Sequence, residues 1–193
     1  MTPTRGRATT AEPVRVNRAP VLALWAAVVA ERAGFRREEA LTLGQALAGL
    51  NARRKGRGLG IYEDRGKPEK HLPVHDGSAA QARAKKVGAK FAVALLGREV
   101  PAIRTEEGVR AFTGGKATKP ETAEHYIAGK LGDDLARVRK AMESLADATW
   151  PEARGGRGFE LYETFRPKIP AGTKGWGAKG VLDLAKLKEL AKE

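Results

Sequence analysis

The sequence predicts a mostly α fold: a compact helical domain with a minor β-hairpin component and a flexible basic N-terminal arm. Three observations carry that reading. Apolar residues recur at three- and four-residue intervals over long stretches, most cleanly at Leu135, Val138, Met142, Leu145 and Thr149. Proline and glycine sit where helices start and stop, as at Pro20, Gly34, Pro120 and Gly132. The pattern shortens only after Gly97, where two brief runs suit strands. The expected organisation is an arm over 1–16, a helical basic subdomain over 17–98, and a smaller α(+β) subdomain over 99–193 with a Gly-rich basic tail loop.

In order along the chain, residues 1–16 hold Thr, Pro and Arg without periodicity and read as an arm. A first helix should follow Asn17 as its cap and end near Gly34. It carries Leu22, Trp25, Ala26, Val29 and Ala33 on one face, and Leu24 and Val28 leave the other face apolar too. A helix apolar all round belongs inside a core. A second helix should span about Arg37 to Arg54, with Leu43, Leu47 and Leu50 as its stripe, Gly44 and Ala48 admitting a close neighbour, and Gly56 as its stop. The pair Glu38-Glu39 compensates its dipole. From Gly56 to Gly77 the helical period is lost, which predicts a long loop with room for a short strand at Leu59 to Tyr62.

A third helix is expected from Ser78, as cap, to about Leu96, burying Ala80, Ala84, Val87, Phe91 and Leu95. Val100 to Arg104 and Val109 to Phe112 then read as a hairpin, or the second as a helical turn capped by Thr105. Thr118 and Glu121 suggest a capping box for a fourth helix with Ala123, Ile127 and Leu131 inward. A fifth helix opens at Asp133 or Asp134. Phe159 to Phe165 forms a short element, and a last helix starts at Asp183.

The formal charge is +13, and its distribution is uneven. Residues 50–90 hold eleven basic and four acidic side chains, whereas residues 21–49 and 91–150 are balanced. An unbalanced block points to an anionic partner more than mixed charge does. Cysteine is absent, which excludes disulfide scaffolds and thiol chemistry. The apolar run Pro20 to Ala30 is shorter than the roughly 20 residues of a membrane span and continues into Glu31-Arg32, so a cytoplasmic protein without membrane contact is expected.

One dense basic zone, lining a single phosphate track, is expected from the second and third helices. Arg53, Arg54, Lys55 and Arg57 close the second helix, and Arg83, Lys86 and Lys90 would run along the rim of the third, positioned for phosphates. Arginine also stands beside glycine in the arm, at Arg5 and Arg7, a pairing suited to a narrow groove. Arg5-Gly6-Arg7 resembles the core of an AT-hook, although Thr4 and Ala8 replace the flanking prolines of that motif. Lys174, Trp176 and Lys179 place an aromatic between two cations on a glycine loop, which suits base stacking or a phosphate track. That loop satisfies G-x-G-x-x-G, but too little chain follows for a dinucleotide-binding unit. Ala128, Gly132 and Val138 have a spacing that resembles a helix-turn-helix, yet Asp133 and Asp134 would meet the phosphates, so a plain αα-hairpin is the better reading.

His71, His75 and Asp76 are the nearest approach to a metal cluster, but Pro73 prevents a helix from presenting both imidazoles together. No catalytic residue, metal or cofactor is assigned. The expected function is non-enzymatic binding of nucleic acid, DNA rather than RNA because aromatics are only 6%. The alternatives are an enzyme acting on nucleic acid with a site in the 62–76 loop, and a ribosome- or RNA-associated factor.

Overall fold

The computed structural model describes residues 13–60, 72–75, 78–174 and 177–193. Its elements run β1 (Val14–Val16), α1 (Arg18–Arg32), α2 (Arg37–Gly58), β2 (Val74–His75), α3 (Ala79–Arg83), β3 (Lys90–Leu95), β4 (Arg98–Thr105), β5 (Gly108–Thr113), β6 (Lys116–Ala117), α4 (Pro120–Leu131), α5 (Leu135–Ala148), α6 (Gly156–Phe165), β7 (Gly180–Leu182) and α7 (Leu184–Leu190). The fold is mostly α with small, largely antiparallel sheets. No helix among the described residues is long and apolar enough to cross a membrane.

α1 is the axis of the molecule. Every residue from Pro20 to Ala30 is buried, as a helix apolar all round requires, and α2, α4, α5 and α6 pack against it. Trp25 is fully buried; its indole N–H donates to the Gly158 carbonyl at 2.8 Å and its ring meets Phe165 edge-on at 5.5 Å. The closest approach of α1 and α2 is at Gly44, where an added Cβ would lie 2.3 Å from the Ala23 carbonyl oxygen. Glycine is therefore a packing requirement there. At the far end of α1, Glu31 pairs with Arg139 and Arg32 with Asp147, joining it to α5. The stripe Val138, Met142 and Leu145 of α5 is buried, with Leu135 partly so.

The main sheet has the order β2-β3-β4-β5-β6, with β2 parallel to β3 and the remaining pairs antiparallel. The expected hairpin is β4–β5, in register from Ala102 opposite Ala111 to Thr105 opposite Gly108. The third helix is not as expected. α3 ends at Arg83, a turn with Gly88 at φ +86° follows, and Lys90 to Leu95 is a strand. Phe91 and Leu95 are one helical turn apart, but with Val93 between them they also share one face of a strand, and all three are buried. Pairing with β4 decides for the strand, and Ala80, Ala84 and Val87, expected inside, are exposed. β3 and β4 are joined across Leu96-Gly97, both left-handed (φ 51° and 68°), as a two-residue primed turn requires.

Other boundaries also move. Val14 to Val16, expected in the flexible arm, pair antiparallel with β7, with Val14 opposite Leu182. α2 runs past Gly56 to Gly58. α4 lacks the expected capping box: Lys119 is its N-cap, and the Thr118 hydroxyl meets Thr113 at 3.2 Å instead. Gly132 ends α4 at φ +53°, and a 3₁₀ turn leads into α5. Asp183 caps α7 through the amides of Ala185 and Lys186, as expected.

Candidate nucleic-acid interface

The structure does not keep the predicted basic zone as one track: its two halves have different settings. α2 buries its first half and projects Arg53, Arg54, Lys55 and Arg57 from its second, all four exposed. Tertiary packing adds further cations around them. Arg98, at the start of β4, shares a groove of about 400 Å³ with Arg53, Arg54 and Arg57. Its guanidinium lies 4.0 Å over the Phe159 ring, and its Nε is buried without a hydrogen-bond partner. Burial, and then Arg54, hold its pKa below the ordinary arginine value. On the other side, Lys55 faces Arg18 and Arg166. Burial first, and then those two guanidinia, lower its pKa, with Glu163 acting in the opposite sense. Arg18 is lowered likewise, by burial and Arg166, while its Nε donates to the Pro167 carbonyl at 2.9 Å.

Arg53 belongs to both the groove and a neighbouring cleft that contains Lys116 and Lys119. A ridge of positive charge thus extends from Arg18 and Lys55 through Arg54 and Arg98 to Arg53 and the β6–α4 junction. Arg53, Arg54, Lys116 and Lys119 form no ion pair with a described carboxylate, and Glu99 is the single described carboxylate lining the groove.

The second half of the zone is built differently. Arg83 is no member of a helical stripe: it binds Glu39, whose side chain is fully buried, with its Nη2 3.2 Å from Oε2. The same carboxylate accepts the Val109 amide at 3.0 Å and the Arg36 amide at 2.9 Å. Burial alone would raise the pKa of Glu39, but the hydrogen bonds from Arg83, Val109 and Arg36 bring it below the ordinary glutamate value. One turn on, the buried Thr42 hydroxyl accepts the Ala111 amide at 3.1 Å. Glu39 and Thr42 therefore satisfy amides on the edge of β5 where no strand pairs with it, a role the dipole reading of Glu38-Glu39 missed. Lys86 is exposed in the turn after α3, and Lys90 is exposed on β3 with its ammonium 4.5 Å over the Phe112 ring. The three side chains of the expected stripe thus have three different settings.

Lys174 and Lys179 are exposed. Arg5, Arg7, Trp176, His71 and Asp76 lie outside the described residues, as does most of the 62–76 loop, and of His75 only the backbone, in β2, is described. Among the described residues no group of three potential metal ligands forms. Sequence reasoning overlooked Arg18, Arg98, Lys116, Lys119 and Arg166, because the charge-balanced or sparsely basic segments holding them gave no local signal. Compared with protein-family models, curated proteins and solved structures, the chain has no match.

Proposed function

We propose that this is a cytoplasmic, non-enzymatic nucleic-acid-binding protein that holds double-stranded DNA through phosphate contacts, with modest sequence preference. The observation that carries the reading is the ridge on α2, where Arg98 shares a groove with Arg53, Arg54 and Arg57 and where burial, and then neighbouring guanidinia, lower the pKa of Arg98, Lys55 and Arg18. Crowded like charges destabilise each other, and a polyanion relieves that while releasing its own condensed counterions. DNA is favoured over single-stranded RNA because Trp25, Phe35, Phe91, Tyr162 and Phe165 are buried, and Phe112 and Phe159 lie under cations, so these rings offer no stacking platform.

The test is the salt dependence of binding to a generic duplex of about 20 base pairs. Three phosphate contacts should give a log–log slope near −2.7, and a slope shallower than about −2 would defeat the proposal. Preference for structured RNA over the duplex at equal salt would replace the DNA reading with the RNA-associated one.

A further inference from the structure

The cleft beside the ridge has features that generic phosphate binding does not use. It has a volume of about 500 Å³ and lies between α2, the β5–β6 turn and the start of α4. Its rim is Arg53, Lys116 and Lys119, accompanied by the hydroxyl-bearing Thr113, Thr118 and Thr122, and no described carboxylate lines it. Glu121, the acid in the first turn of α4, lines the adjoining cleft instead. The floor is apolar, made of Ala46, Leu50 and Ala117, with Gly49 among them. A cleft of this size exceeds what a lone phosphate fills and falls in the range of small-ligand pockets.

Two details point to a ligand with a second polar end. Gln45 lines the cleft, and its Oε1 is buried without a hydrogen-bond partner. An acceptor in that state is destabilising until a donor reaches it. Gly49 lies inside α2, where glycine costs roughly 1 kcal/mol relative to alanine. At Gly44 close helix packing explains the glycine, but a Cβ built at Gly49 meets nothing within 4 Å. No neighbour requires the missing side chain. What it does is keep the floor of the cleft open.

We propose that this cleft binds a nucleoside 5′-monophosphate unit, free or at the 5′ end of a strand. The phosphate lies among Arg53, Lys116, Lys119 and the threonine hydroxyls, the base lies on the floor at Gly49, and Gln45 Oε1 accepts a hydrogen bond from an amino or hydroxyl group of the nucleoside. The positive end of α4, at Lys119, adds the same sign of potential. This proposal shares Arg53 with the ridge and rests on the same phosphate reading, but its test is separate.

Calorimetric titrations would compare adenosine monophosphate, adenosine and inorganic phosphate, with the duplex bearing short overhangs that end in either a 5′-phosphate or a 5′-hydroxyl. The monophosphate should bind at least about tenfold more tightly than adenosine or phosphate alone, because both ends of the cleft are then used. Gly49→Leu should abolish that advantage without lowering the thermal midpoint, since the new side chain enters open space and replaces a glycine inside a helix. It should leave the 5′-hydroxyl duplex bound as before. Lys116→Gln with Lys119→Gln, both at exposed surface, should reduce monophosphate affinity comparably and serves as the second variant. Preference for the 5′-phosphate end over the hydroxyl end identifies a strand terminus as ligand, and equal affinity for the two identifies the free nucleotide. Monophosphate affinity no better than that of inorganic phosphate, or unaltered by Gly49→Leu, would overturn the proposal while leaving duplex binding on the ridge to be judged by its own salt slope.

Discussion

Around Glu39 and along the second half of α2, the chain presents the same residue type in opposite circumstances. Near Glu39, Arg36, Arg83 and the buried Arg110 each meet a carboxylate; Arg110 is 3.3 Å from Glu38 and 3.6 Å from Glu107. On α2, Arg53 and Arg54 meet other cations. The first arrangement completes the unpaired edge of a strand and holds α2, α3 and β5 together. The second adds nothing evident to the fold and leaves its charge available. Charge counted along the sequence places Arg83 and Arg53 in one +7 block, yet they do different work, because an arginine's role depends on what the fold brings within about 4 Å of it.

The largest expected effect is at the Glu39 side. Glu39→Ala removes the acceptor of Arg83, Val109 and Arg36 together and should lower unfolding stability by about 3 kcal/mol in urea titrations. Arg53→Gln with Arg54→Gln should stay within about 0.5 kcal/mol of the parent. Comparable losses in the two variants would dissolve the contrast.

The second effect concerns ligand binding. The Arg53→Gln, Arg54→Gln pair should flatten the salt slope for duplex binding by up to about 2, one unit per lost phosphate contact, and weaken all sequences alike. Arg83→Gln should lower stability and leave that slope unchanged. A flattened slope in folded Arg83→Gln would return Arg83 to the binding face.

Acid titration sharpens the comparison further. The folded-state pKa of Glu39 is depressed relative to its ordinary value of 4.5. The stabilisation it gives is therefore present above that value and is lost as pH falls through the lower folded-state value. Glu39→Gln should remove this part of the acid limb of a stability–pH curve.

The smallest effect is at Lys90. Its ammonium over Phe112 should be worth about 0.5 kcal/mol to stability, so Lys90→Gln should fold nearly normally. If Lys86 and Lys90 contact phosphates, the Lys86→Gln, Lys90→Gln pair flattens the salt slope in proportion. If they are ordinary surface, the slope does not move.

The sequence by itself determined the elements whose periodicity has one reading. α1 had to be central because no face of Leu22 to Val29 could meet water, and α5 had to pack along Val138, Met142 and Leu145. Gly44 announced the close approach of a neighbouring helix, whereas Val109 to Phe112 stood open to a strand or a helical turn until it paired with β4. What only the tertiary structure decided was every feature whose local signal is degenerate. Phe91 and Leu95 suit a helix and a strand equally, and pairing with β4 chose between them. Leu96-Gly97 lacks the asparagine or aspartate that advertises a primed turn, and the burial of Leu96 at 1% exposure holds it there. Glu39 resembled an ordinary helix-start acid until the edge of β5 arrived over it. The ridge and the cleft beside it follow the same logic: Arg18, Arg53, Arg98, the neighbours Lys116 and Lys119, and Arg166 come from five separate segments of the chain. Periodicity records which face of a single element avoids water, whereas the potential at a surface sums charges over space, and only folding sets those distances.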